Sequence, residues 1–174
     1  DSSQSRGLGD VYKRQNSWGS SSASQQSKYN SETEDVDDRA SYYDRYYNGR
    51  QGLTILFAAG NDGPNSGTVS PPATAKNIIS VGNHKNRYSG APDVMMSGSS
   101  RGPTEDGRIK PDLVAPGGYV RSCRAQEAGD TGTATWRNTY YLEYTGTSMA
   151  TPNAAGAAAM AVSYTHLTLP TTLV

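Results

Sequence analysis

A serine stands where a helix should begin. Residues 146–152 read GTSMATP, and the small-residue run AAGAAAM follows at 154–160. A hydroxyl at a helix N-terminus, as at Ser148, lies where backbone N–H groups point outward and the dipole favours developing negative charge. That suits a nucleophile whose attack creates an oxyanion. Gly146, lacking a side chain, lets a substrate backbone approach closely. Ser or Thr before a helix is also an ordinary N-cap, so the motif alone decides nothing. Residues 57–64 (FAAGNDGP) add a second group. They put Asn61 at the C-terminal end of an apolar run, where clefts form in α/β sheets. An amide there can donate to an oxyanion, although Asn-Asp-Gly is equally an ordinary turn.

A serine hydroxyl also needs a general base, and the base needs an orienting carboxylate. The chain has two histidines, His84 and His166. His84, in GNHKNRY, reads as a surface loop residue, and His166 lies in a terminal segment set apart below. Two other serine chemistries fail on spacing. Ala150 stands where the G-x-S-x-G elbow needs glycine, and Thr151 stands where S-x-x-K needs lysine.

Several elements must hold these groups in place. Ser31 and Glu34 have capping-box spacing, and Glu32, Glu34, Asp35, Asp37 and Asp38 crowd a helix start as a solvated acidic face, with a cation site as the lesser alternative. Val36, Ala40, Tyr43 and Tyr47 follow on one helical face, with Gly49 as a stop. Residues 53–59 (LTILFAA) are a short apolar run of the kind buried on both faces of a parallel sheet. It ends in the turn signal at 60–65. Residues 78–81, 113–115, 119–120 and 140–144 are further strand candidates, and a helix is expected from Thr147 onward. Strand, turn and helix alternate, which favours a parallel α/β sheet.

Composition removes other classes. Lys and Arg total 16, as do Asp and Glu, so bulk charge would draw neither nucleic acid nor an anionic membrane. No apolar run approaches the roughly 18 residues of a spanning helix. Leu, Ile, Val and Phe together number 22 of 174, low enough to raise disorder; zero net charge and 12 Tyr favour a loop-rich folded domain instead. The lone Cys123 excludes an internal disulfide and reads as a packed or partly buried thiol. Residues 1–15 and 162–174, with GLGDVYKRQ and SYTHLTLPTT, resemble translated sequencing adapter. They are expected to be non-structural tails around a domain at 16–161.

Five blocks then agree in order and spacing: NSWGS (16–20), FAAGNDGP (57–64), SPPATAKNIISVG (70–82), SSRGPTEDGRIKPDLVAPG (99–117) and GTSMATP (146–152). Together they resemble the subtilase family of serine endopeptidases, nearest to its secreted alkaline bacterial and archaeal type. The resemblance implies a subtilisin-like α/β fold: a parallel sheet with helices on both faces, incomplete because N-terminal strands are missing. It implies Ser148 as nucleophile, and Asn61 with the Ser148 N–H as oxyanion donors. It implies that Ser17, Trp18 and Gly19 form the strand pairing with substrate main chain. Ala58, Ala59 and Gly60 would wall the pocket before the scissile bond, with Gly146 and Thr147 also against substrate. Met149 would lie beneath the nucleophile, where oxidation could hinder catalysis.

The family's catalytic Asp and His precede the part seen here, and its His-Gly-Thr string is absent. Asn153 stands where many relatives carry histidine. The expectation is therefore a piece of a secreted endopeptidase, inactive alone and monomeric when complete. Its substrates would be polypeptides, without nucleic acid, membrane or cofactor; the resemblance allows calcium but assigns it no site. The alternative is a non-catalytic subtilase-like binding or scaffold domain.

Overall fold

The computed structural model describes residues 13–20, 22–46, 53–123 and 140–167. Strands β1 (Lys13–Asn16), β2 (Thr54–Ala58), β3 (Ile79–His84) and β4 (Leu113–Pro116) form one sheet in that order. All three pairings are parallel. Helix α1 (Ser31–Tyr46) connects β1 to β2, and helix α2 (Thr147–Leu167) follows the last strand.

The apolar run at 53–59 explains the layering. Side chains alternate along a strand. Ile55 and Phe57 therefore join Ala40 of α1, Val69 and Ala73 in one buried cluster. Leu56, between them, joins Val81, Ala115 and the α2 residues Ala150 and Ala154 in a second. One helix covers each face, as a strand apolar at successive positions requires. The described α2 residues in that cluster are alanines, so the helix can lie close to the sheet.

Five expectations are corrected. The first concerns the strands at 120–123 and 141–144. β5 (Val120–Cys123) and β6 (Tyr141–Tyr144) leave the parallel sheet and pair with each other, antiparallel. Only residues 117–119 separate β4 from β5, and a parallel crossover needs about a dozen residues or more. This ribbon has an open face, and Cys123 on it is exposed rather than packed. His84 is not a loop residue either. It closes β3 opposite Pro116, is half-buried, and its Nδ1 lies 2.6 Å from the Lys85 carbonyl oxygen.

The fourth correction is the start of α1. Asn30 and Thr33, not Ser31 and Glu34, exchange the capping bonds. The Thr33 N–H donates to Asn30 Oδ1 at 3.2 Å, and the Asn30 N–H donates to Thr33 Oγ1 at 2.6 Å. Asparagine is as good an N-cap as serine, and it precedes Ser31 by one residue. Nor is the acidic face wholly solvated. Asp37 is buried, one turn from Thr33 and three residues from Ala40 on the inner face. Its carboxylate accepts the Lys76 N–H at 2.9 Å and the Asn77 N–H at 2.6 Å, and Tyr29 Oη donates to it at 2.9 Å. Tyr47 and Gly49 lie outside the described residues.

Asp37 thus ties α1 to the segment that enters β3. Asp37→Ala is expected to cost about 2–3 kcal/mol, because charge-assisted bonds to buried groups are lost together. The denaturation midpoint of the complete protein measures it, and a change under about 0.5 kcal/mol would remove the anchoring role. Desolvation first, then donation to Asp37, pushes the Tyr29 phenol up to about 12. A raised folded-state pKa means the native state holds the proton more tightly. Its contribution to stability is full below pH 10 and lost as pH rises toward 12. Absorbance titration should resolve one phenol near pH 12 that Tyr29→Phe deletes; no such late step would count against the arrangement.

The expected tail boundaries fall inside elements. Lys13, Arg14 and Gln15 pair with Thr54, Ile55 and Leu56, and α2 runs on to Leu167. A ladder is made of backbone groups, which any extended non-proline residue supplies. The alanine-rich helix meets no glycine or proline between Gly156 and Pro170 to stop it earlier. Residues 1–12 and 168–174 lie outside the described residues. Among the described residues, no helix is long and apolar enough to cross a membrane.

Candidate active site

Ser148 occupies the first turn of α2. Gly146 is the residue before the helix, and its carbonyl accepts the N–H groups of Met149 at 3.1 Å and Ala150 at 3.2 Å. The Thr147 N–H donates instead to Asn61 Oδ1, at 2.9 Å, and the Thr147 hydroxyl adds a second bond to the same atom at 3.1 Å. Among the described residues this leaves one first-turn N–H with no protein acceptor, that of Ser148. First-turn N–H groups have no intrahelical partner, so an orphan here is a donor ready for an anion.

Asn61 is brought to α2 by the end of β2. Its amide oxygen is identified by the two donors it accepts, which assigns Nδ2 to the other side. Nδ2 has no acceptor among the described residues, and Asn61 is exposed. Glycine at 146 eases this approach: a Cβ there would lie 3.3 Å from Asn61 Oδ1, a tight contact that the amide would have to yield to by a few tenths of an ångström. The side chain of Asn61 therefore does two things at once. Its oxygen caps α2, and its nitrogen points away with donor capacity to spare.

Ser17 lies just past the end of β1, 131 positions before Ser148, so Ser17, Trp18 and Gly19 follow a strand rather than form the one expected. The two residues bond reciprocally. Ser148 Oγ donates to the Ser17 carbonyl at 3.3 Å, and Ser17 Oγ donates to the Ser148 carbonyl at 3.1 Å. The second bond has a covalent cause. Pro152, four residues after Ser148 inside α2, has no N–H, so the Ser148 carbonyl lacks its helical donor. The Ser17 hydroxyl supplies one. The signal was present in the sequence as a proline four residues past the serine.

The flanking residues are placed with equal definition. Trp18 is 56% exposed, and its ring stands edge-on to Phe57 at 5.3 Å. Gly19 packs against Pro71, and a Cβ there would meet the Pro71 carbonyl oxygen at 3.1 Å. The Ser20 N–H donates to that same oxygen at 2.8 Å. Ala58 and Ala59 are buried, and the Ala59 methyl belongs to the core cluster. Gly60 is half-buried with φ +107°, a conformation suited to glycine. Asn153 donates to the Pro116 carbonyl at 2.7 Å and makes no bond to Ser148. Met149 is half-buried in the first turn of α2. No imidazole hydrogen-bonds to Ser148 among the described residues. No group of three or more His, Cys, Asp or Glu is placed there to hold a metal ion.

The family model that matches residues 11–172 is described as the subtilase family. The chain belongs to the subtilase family. Serine protease AprX of Bacillus subtilis (strain 168) is 39% identical to this subtilase over 119 residues, which are 63% of this chain and 26% of AprX. Subtilisin of Bacillus sp. (strain TA39) is 32% identical over 119 residues, 65% of this chain and 26% of its own length. Among solved structures, sphericase superposes with a TM-score of 0.58 at 28% identity, covering 87% of this chain and 43% of sphericase. The subtilase chain described here thus spans about a quarter of those two relatives and under half of sphericase. Its four parallel strands and two helices are part of the subtilisin-like α/β fold.

Proposed function

We propose that the complete protein is a serine endopeptidase that acts on polypeptides through an acyl-enzyme on Ser148. One observation carries this: Asn61 Oδ1 takes the Thr147 N–H, leaving Asn61 Nδ2 and the Ser148 N–H as two unengaged donors at the start of α2, the turn that carries Ser148. In the reaction, Ser148 Oγ attacks the scissile carbonyl carbon and its proton passes to a general base. The two donors bind the resulting oxyanion. The base returns the proton to the departing amine, and water then hydrolyses the ester by the same route.

Base and orienting carboxylate come from parts of the protein outside these residues. Ser17, Trp18 and Gly19 align the substrate main chain. Ala58, Ala59 and Gly60 back the pocket for the residue before the scissile bond, and Gly146 and Thr147 line its approach. The likeness to serine protease AprX supports the peptidase reading, and secretion and a monomeric state belong to the same proposal. The competing reading, a non-catalytic scaffold, draws on the Ser148 hydroxyl being engaged by a carbonyl rather than a base.

The test uses the complete gene product, assayed for peptide-amide hydrolysis and treated with a serine-directed phosphonate. Hydrolysis with label mapped to Ser148 is the expected result. A folded, unlabelled and inactive protein would instead establish the scaffold.

A further inference from the structure

We infer that Ser100 is the positioning residue for Asn61, gripping the chain on both sides of it so that the amide nitrogen stays aimed at the oxyanion. The inference rests on the oxyanion role proposed for Asn61. Ser100 is fully buried, 39 positions from Asn61. Its backbone N–H donates to the Gly60 carbonyl at 3.0 Å, and its Oγ accepts the Asp62 N–H at 3.0 Å. The peptide group before Asn61 and the one after it are therefore both held by a single residue.

The grip continues on either side. The Gly63 N–H donates to the Gly98 carbonyl at 3.0 Å, so residues 60–63 and 98–100 lie backbone to backbone. That closeness needs glycine. A Cβ at Gly63 would come within 2.1 Å of the Ser99 carbonyl oxygen, and one at Gly60 within 2.8 Å of Ser100 Oγ. The clamp is itself anchored, since Ser99, next in the chain, accepts the Asn83 N–H of β3 on its Oγ at 2.9 Å. Asn61 has one remaining freedom, the rotation of its side chain, and the Thr147 bonds to Oδ1 remove it. An oxyanion donor works by standing in place before charge develops, so rigidity of this loop becomes transition-state stabilisation. Loss of the Ser100 hydroxyl frees the Asp62 N–H and lets the peptide after Asn61 rotate, blunting the donor without touching substrate.

The test is a double-mutant cycle on the complete enzyme: wild type, Ser100→Ala, Asn61→Leu and the double variant, with kcat expressed per phosphonate-titrated site. Ser100→Ala should lower kcat about tenfold with KM changed less than about twofold. In the Asn61→Leu background it should lower kcat less than about twofold, since the donor it serves is gone. Equal losses in both backgrounds, a loss confined to KM, or no loss would each overturn the inference. Should Ser100→Ala yield no titratable sites, Ser100→Cys, whose sulfur is a weaker acceptor, replaces it in the same cycle under the same criteria. If Asn61→Leu leaves kcat intact, the oxyanion assignment fails, whatever Ser100 does. If Asn61→Leu lowers kcat while the cycle is additive, the clamp alone fails.

Discussion

In the complete enzyme, Ser148→Ala should reduce turnover by about 10⁶, the magnitude known for the nucleophile of its relative subtilisin. The fold should survive. Ser148 is half-buried, and its hydroxyl makes one bond, to the Ser17 carbonyl, so the loss is about 1 kcal/mol or less. The reciprocal bond from Ser17 to the Ser148 carbonyl uses backbone and is untouched. Two measurements check this together. Peptide-amide hydrolysis should vanish into background, while the thermal midpoint moves by only a few degrees. The phosphonate should label wild type and leave the variant unlabelled. Full activity in Ser148→Ala, or label on another serine, would refute the nucleophile assignment.

Asn61→Leu is expected to lower kcat by about 10² to 10³ and leave KM nearly unchanged, again a magnitude taken from subtilisin. The split between the two constants follows from timing. A donor aimed at the oxyanion bonds the transition state more strongly than the planar ground-state carbonyl. This structure adds a complication that a pure donor would not show. Asn61 also caps α2, and Asn61→Leu leaves the Thr147 N–H without its acceptor. Thr147 is fully buried, so about 1–3 kcal/mol of stability should go as well. Asn61→Asp separates the two roles. It keeps an acceptor for Thr147, where the helix dipole welcomes negative charge, and removes the donor. It should therefore retain the wild-type thermal midpoint and still lose turnover. An active Asn61→Asp variant would leave the amide with a capping role alone.

The parts of this molecule that could be read from its sequence are those where one physical demand dominates. Residues 53–59 could hardly be anything but a doubly buried strand, and β2 occupies residues 54–58 of them. The alanine run after Thr147 likewise had to be a helix. Asn61 and Ser148 stood out because turn and helix start are local features. What escaped was anything settled by partners far along the chain. Asp37 looked like one acid among five, and only the backbone at Lys76 and Asn77 makes it a buried anchor. Asn30 and Ser31 are near-equal caps, and the choice fell to the one whose side chain faced Thr33. Ser100 sat in an unremarkable serine pair until Gly60 and Asp62 were seen on either side of it. His84 was misplaced by its polar surroundings, because ladder pairing with Pro116 carries β3 one turn signal further.

The bond from Ser17 to the carbonyl orphaned by Pro152 bears on transplantation. GTSMATP looks like a portable cassette, a contiguous heptapeptide to be grafted onto any strand–turn–helix. It is not self-sufficient. Grafted alone, it would carry a proline that strips one carbonyl of its donor, with nothing nearby to replace it. A recipient scaffold would need a hydroxyl presented from just past the end of a strand that the helix packs on, as Ser17 is here from 131 positions away. The smallest transferable unit is therefore a pair of segments and the sheet spacing between them.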